Sequence, residues 1–572
     1  MKTKLSQAIA AIAVMGAATA ASAAPTVNPD GLGQALLFPL YTVENNNQTT
    51  LHLTNTTENF KAVKVRFRRA TDSADVLDFN LYLSPHDMWT GVVSMGENGT
   101  PVLTSHDTSC ISADPNRTDM TAGREFGVLG DSTKGHVEVI EMANWTPDEA
   151  KGAAVSGTDI NGDYWDNIDV ATAVEHKKVG DERVPGNCHA INAAWETGNW
   201  LTAYRAAAEV DSDESFENTD LGYKPTGGLY GGAYIINVDQ AWAASYEPTA
   251  MDIYDSETEG NNHHEPKYGL PDLQGEDVDV LKLVLATPEW KEDAAGDLSG
   301  AVAELESLVV LKNHGMEDAD AIADELRATK LYTDFTLGSG IEANTELAVT
   351  FPMRYAGFPN PNSEIEFNVT FTDREEDRVV ATTGNWQWSP WVPSEGQEGN
   401  FFFNETNLIK LTHEDGVDRN DLGEWNHEIE TDFTTGWLQV DFAAEQLSVN
   451  LKELEDAYQA YLDGLNHNKS ENRVEYAMRQ LGLSFADLTN ADYGDEDSTI
   501  AELLFEGTLG SDAASSTDVV YQQGANRFIT LADGAQPVIG FSNIVLQNGL
   551  AVPGVNNIYS ITHELKYERP GL

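Results

Sequence analysis

The sequence predicts a mainly β protein, an antiparallel β-sandwich framework carrying two α-helical insertions. Three observations predict it. Apolar and polar residues alternate in short runs from Gly33 to Val93, and β patterns return over 346–442 and 527–567. That period belongs to strands with one buried face. Turn-forming clusters break the first runs at Asn45-Asn46-Asn47, Asn55-Thr56-Thr57, Asp72-Ser73 and Ser84-Pro85, which gives the strand spacing of a sandwich. Two other stretches, 297–330 and 447–505, repeat apolar residues at three and four positions, as helices do.

Residues 1–23 are expected to be a secretory signal peptide. Lys2 and Lys4 precede the uncharged run from Leu5 to Ala20, and Ala21-Ser22-Ala23 supplies a small-x-small cleavage pattern. The run is too short and too alanine-rich to span about 30 Å of hydrocarbon. The mature chain is therefore expected beyond the inner membrane, at the cell surface, in the medium or in the periplasm.

Residues 24–105 then read as an N-terminal immunoglobulin-like β region. Val63, Val65 and Phe67 alternate with Lys64, Arg66 and Arg68, and Leu77, Phe79 and Leu81 alternate with Asp78, Asn80 and Tyr82. One set is expected inward and the other outward. Residues 106–290 form an elaborated β region with long acidic loops, with strands at Gly135 to Met142 and Leu229 to Val238 and a helix within Ala190 to Ala208.

Residues 291–335 form the first helical insertion, on the spacing of Val302, Leu305, Leu308, Val309, Ile322 and Leu326. Residues 336–442 return to β structure. The second insertion, 443–510, carries Leu451, Leu454, Tyr458 and Leu462 on one stripe and Val474, Ala477, Met478 and Leu481 on another, closed by Gly482. Residues 511–572 hold the C-terminal strands.

Some phrases carry a resemblance. Leu51 to Thr57, followed by Ala62 to Phe67, resembles strands of immunoglobulin-like or chaperone-like sandwich modules of secreted bacterial proteins. Gly33 to Pro39, Asp75 to Pro85, Gly135 to Glu141 and Gly227 to Ala233 are similar to secreted or cell-surface proteins of Gram-negative bacteria with such a module. The resemblance implies location and class, and no activity.

The formal charge is −59, from 93 acidic and 34 basic residues. Nucleic acid and anionic membrane are therefore excluded as expected partners, because like charge opposes their approach. A salt-adapted, solvated surface and divalent-cation binding are the two readings left.

Cys110 and Cys188 are expected to form one disulfide in an oxidising compartment. Metal ligation with His189 is the alternative, opposed by the lack of any CxxC pair.

Asp159, Asn161, Asp163 and Asp166 form the best candidate calcium loop, since alternating oxygen side chains suit that ion. Gly162 and Val170 depart from the EF-hand pattern, so a polar turn is the competing reading. Asn262-His263-His264-Glu265 offers imidazole and carboxylate to a transition metal, but neighbouring histidines on a strand point apart. An exposed loop is the expected alternative. Gly130-Asp131-Ser132 has the look of an esterase nucleophile block, yet none of the 13 histidines follows an aspartate at the required spacing. Trp386 and Trp388 fall on one face of a strand and could stack on sugars.

The leading expectation is a secreted or cell-surface structural or adhesive protein, with calcium as its candidate cofactor and no catalytic constellation. Self-association through sheet edges, or a place in the cell envelope or matrix, would follow. The alternative is an extracytoplasmic carbohydrate-binding or carbohydrate-active protein, with glycan as its partner.

Overall fold

The structure is a computed structural model. It describes residues 25–569 apart from 113–119, 128–130, 159–162, 209–218, 256–259, 267–268, 276–279, 286–288, 291–300, 303–304, 312, 314, 339–341, 358–364, 381–399, 415, 417–418, 443–445, 451–519, 524–525, 531–534 and 548–557. The fold is mainly β, in multiple antiparallel sheets.

Two sheets make the first sandwich. The seven-stranded sheet runs in the order Thr26–Val27, Thr249–Asp252, Ala35–Thr42, Lys134–Trp145, Phe60–Arg69, Asp75–Leu83, Cys110–Ser112. The six-stranded sheet runs Trp242–Tyr246, Leu229–Asn237, Gln48–Asn55, Met88–Met95, Pro101–Thr104, Arg124–Glu125. Between them lie Phe38, Leu51, Val65, Phe67, Phe79 and Trp89, all buried. The strand Lys134–Trp145 sits in the middle of one sheet and Leu229–Asn237 pairs with Gln48–Asn55 in the other. Both sheets are thus completed by strands from beyond residue 105.

The second sandwich faces Lys330–Thr336, Thr435–Phe442 and Ile365–Asp373 against Ala343–Thr350, Thr406–Thr412 and Ile539–Gln547. Phe335, Leu347, Phe367, Phe371 and Leu438 fill the space between. The other face of its five-stranded sheet docks on the first sandwich. Ala348, Leu408 and Phe541 join the first core, and the Phe541 ring stacks on Tyr246 with centroids 4.4 Å apart.

The polar face of the seven-stranded sheet corrects one expectation. Lys64, Arg66 and Arg68 do point away from the sandwich core, but they are buried there and not solvated. A third layer covers them, made partly of helices Cys188–Glu196 and Asn199–Ala208 and of residues 261–266 and 269–275. Period two decides which face a side chain takes, and does not decide whether that face meets water. Each cation has a carboxylate: Lys64 lies 2.8 Å from Asp78, Arg66 bonds Asp75, and Arg68 lies 2.7 Å from Glu138. Arg66 also donates to the Pro271 carbonyl at 3.2 Å, and Arg68 sits 3.8 Å over the Tyr355 ring.

The first helical insertion is also corrected in part. Leu305–Leu311 is a strand paired with Val280–Leu285, and Ala319–Leu326 is the helix. Leu308-Val309-Val310-Leu311 is a continuous apolar run with two β-branched residues at its centre, and such a run satisfies both periods at once. Gln446–Asn450, expected to open the second insertion as helix, is a strand against Asn526–Thr530. Residues 451–519 lie outside the described residues, as does the expected signal peptide. Among the described residues no helix is long and apolar enough to cross a membrane.

Cys110 and Cys188 are bonded. The bond fastens the edge strand Cys110–Ser112 to the start of helix Cys188–Glu196, so it ties the third layer to the sheet. The pair Cys110→Ser and Cys188→Ser is expected to cost about 2–4 kcal/mol of stability, chiefly by freeing the unfolded chain. Urea unfolding midpoints of the wild type and the double variant test this. Coincident midpoints would contradict it.

Candidate functional site

A groove of about 740 Å³ opens where the two sandwiches meet. One wall is the outer face of the six-stranded sheet. On the strand Leu229–Asn237, Tyr230, Gly232 and Tyr234 alternate onto that face. Gly232 stands directly opposite His52 on Gln48–Asn55. The His52 ring lies over the bare glycine: a Cβ at Gly232 would come within 2.6 Å of His52 Cε1. The neighbouring Gly231 faces the core, where a Cβ would come within 2.9 Å of the Phe38 ring. Adjacent glycines thus admit a ring on each side of one strand.

The result is a row of three rings. His52 lies 5.5 Å from Tyr230 and 6.1 Å from Tyr234, centroid to centroid. The tyrosines are four residues apart, about 13 Å along a strand, and remain 37% and 44% exposed. Burial lowers the His52 pKa below the usual histidine range, against the opposing charge of Glu247. At neutral pH the imidazole is therefore an uncharged ring that continues the tyrosine row.

The opposite wall comes from the second sandwich and the last strands, with Phe541, Thr562, His563, Tyr567 and Arg569. Thr562 Oγ1 donates to the Ser245 carbonyl and closes the seam between the sandwiches. Arg569 is already engaged: Nη1 donates to the Glu325 carbonyl at 2.7 Å, at the end of helix Ala319–Leu326, and the guanidinium sits over Tyr567. Asp30, Glu247 and Glu564 bring carboxylates to the rim. Exposed ring faces beside hydroxyls and carboxylates suit a ligand with apolar C–H faces and many hydroxyls.

The sequence candidates fall elsewhere. Asp159 and Asn161 lie outside the described residues, Asp163 is exposed beside the strand Tyr164–Asp169, and Asp166 belongs to that strand. Trp386 and Trp388 lie outside the described residues. Among the described residues no group of three or more His, Cys, Asp or Glu side chains is placed to hold a metal ion. Ser132 is buried, and its carbonyl accepts from the Tyr41 hydroxyl at 3.1 Å.

His263 and His264 correct the exposed-loop expectation, because both are wholly buried. The segment carrying them forms part of the lid on the polar sheet face, where Asn80 Nδ2 donates to the His264 carbonyl at 2.9 Å. His263 Nδ1 donates to the Leu221 carbonyl at 2.9 Å, so Nε2 accepts from the Tyr82 hydroxyl at 3.0 Å. Trp195 Nε1 donates in turn to that hydroxyl at 2.8 Å. Burial holds the His263 pKa down at about 3. His264 Nε2 lies 2.6 Å from Asn262 Oδ1, and Nδ1 lies 3.1 Å from the Tyr204 hydroxyl. With its Nε2 lone pair committed to Tyr82, His263 is a packing element under Trp145, Trp195 and Trp200 rather than a metal ligand.

Sequence pattern alone does not single out Tyr230, Tyr234 and His52. The signal it holds is Tyr230-Gly231-Gly232-Ala233-Tyr234, two aromatic residues four apart about a glycine pair in a strand. No known family matches the chain, and neither the curated proteins nor the solved structures contain a match to it.

Proposed function

We propose that the protein is an exported carbohydrate-binding protein that holds a glycan segment in the groove between its two sandwiches. The observation that carries this reading is the exposed Tyr230–His52–Tyr234 row lying along a polar-rimmed groove. Sugar rings present C–H faces to such rings and hydroxyls to the rim. The row is longer than one sugar ring, which favours an oligosaccharide over a monosaccharide. The disulfide and the N-terminal signal pattern support an extracytoplasmic setting. A structural or adhesive role is compatible with this reading, since gripping a glycan is one way for a surface protein to adhere.

The test is a glycan array followed by titration calorimetry with the soluble oligosaccharides that bind. Tyr230→Ala and Tyr234→Ala are each expected to weaken binding about tenfold, or about 1.4 kcal/mol. Gly232→Val should weaken it as well by pushing His52 out of the row; the atom it meets is the far end of a side chain, so the fold should hold. An array without signal, or tyrosine variants that bind as tightly as wild type, would refute the proposal.

A further inference from the structure

We infer that the groove selects among glycans by charge, favouring sugars that carry a free amine over neutral ones and rejecting uronic or sulfated sugars. This rests on the groove reading above and adds the ligand class. Three carboxylates, from Asp30, Glu247 and Glu564, line the groove together with one permanent cation, Arg569. That cation acts on its own side of the groove, where Glu325 and Glu564 are the carboxylates that feel its charge. Its guanidinium donates to the carbonyls of Glu325 and Arg327 and covers the Tyr567 ring. Glu564 is paired with Lys566 at 3.0 Å. Among the described residues neither Asp30 nor Glu247 is in an ion pair.

The position of Glu247 matters more than the count of charges. It follows Tyr246, whose ring stacks on Phe541 and so fixes the seam where the groove opens. Its charge is felt at His52, the middle ring of the row. A sugar stacked on that row would therefore bring its substituents toward a carboxylate that is in no ion pair among the described residues. An ammonium there gains a charge-assisted hydrogen bond. A sugar carboxylate or sulfate meets repulsion, reinforced by a protein of formal charge −59. Tyrosine faces also attract a cation through their ring electrons, as they would not an anion.

The experiment uses the full chain and a matched pair of oligosaccharides: an oligomer of N-acetylglucosamine and the same oligomer with its acetyl groups removed. Length and linkage are identical, and only the charge differs. An oligouronate of similar length is the third ligand. Titrations run at mildly acidic pH, where the amine is charged and exposed carboxylates remain ionised, at low and high sodium chloride.

The amine is expected to bind about fivefold or more tighter than its acetylated parent at low salt, with the advantage shrinking as salt screens it. The oligouronate should bind more weakly than the neutral ligand. In Asp30→Asn/Glu247→Gln the ratio of amine to neutral affinity should fall to about one, with any loss of rim hydrogen bonds to sugar hydroxyls shared by both ligands. In Tyr234→Ala both should weaken together. Equal affinity of amine and parent in wild type would overturn the charge selection and leave the groove reading standing. So would an advantage that survives in Asp30→Asn/Glu247→Gln, since it would then come from the general acidic surface. Absence of binding by all three ligands, together with a silent glycan array, would overturn the groove reading itself and this inference with it.

Discussion

Lys61→Met is expected to destabilise the protein by about 3–5 kcal/mol, the usual loss when one member of a buried ion pair is removed. Lys61 and Glu141 are both without solvent exposure, and Lys61 Nζ lies 2.6 Å from Glu141 Oε1. Glu141 also accepts from the backbone N–H of Thr226 at 3.1 Å and of Gly227 at 2.8 Å. Burial raises its carboxyl pKa, and the lysine opposes that rise. Without the lysine, the carboxylate must either stay charged in a dry site or take up a proton, and each costs stability. Lys61→Met combined with Glu141→Gln should lose less than Lys61→Met alone. The amide keeps an acceptor for the Gly227 N–H and removes the buried charge, at the cost of the acceptor that the Thr226 N–H finds in Oε1. Urea unfolding of the four proteins of the cycle reads the coupling directly. Losses that simply add would show that the pair is not a coupled unit.

The same sheet shows how far local pattern reaches. The strands Phe60–Arg69 and Asp75–Leu83 were legible because alternation is a property of neighbours in sequence. The burial of Lys64, Arg66 and Arg68 was not, because part of the lid that covers them comes from segments that include Pro266 and Pro271, roughly 200 residues later. The helical reading of 305–311 failed for a different reason: an unbroken apolar run carries no phase. The disulfide was legible from two cysteines and the expectation of an oxidising compartment. The groove lies at the other extreme. His52, Tyr234 and Thr562 share a surface only because three strands distant in sequence are brought together by pairing and docking. Tyr230 and Tyr234 had the spacing of one strand face, yet nothing nearby said that this face would stay open to a ligand.

Stability is expected to be greatest between about pH 4.5 and 6.5 and to fall on both sides. The acid side is set by buried neutral histidines. Burial holds His263 and His427 at about 3, and it also lowers His136, against the pull of Glu138. In the unfolded chain these residues titrate at about 6.5. Between the two values the unfolded state binds more protons, so their contribution is complete above about 6.5 and is lost as pH falls. Asp75 and Glu138 add to the acid loss. Burial alone would raise them, but Arg66 and Arg68 hold both at about 2, so they lose their ionic stabilisation below the ordinary carboxylate range. The alkaline side has the opposite sign. Burial raises Glu405 to about 8 despite Arg354, and burial with the nearby Asp421 charge raises Glu346. Unfolded glutamate titrates at about 4.3, so here the native state holds the extra protons and stability falls as pH rises toward 8. The two trends oppose each other at intermediate pH and act alone outside it. A tenfold difference in proton affinity between folded and unfolded chain is worth about 1.4 kcal/mol. His263, His427 and Glu405 each differ by several such factors, so either limb amounts to a loss of several kcal/mol. Urea midpoints at about pH 3.5, 5.5 and 8.5 should therefore peak at the middle value. His427→Phe removes one buried titration, among the rings of Phe367 and Phe402, and should flatten the acid limb while leaving the alkaline limb in place. A midpoint that climbs steadily from about pH 5.5 to 8.5 would show that Glu346 and Glu405 are ionised in the native protein, with solvent or a cation stabilising the charge that burial otherwise suppresses.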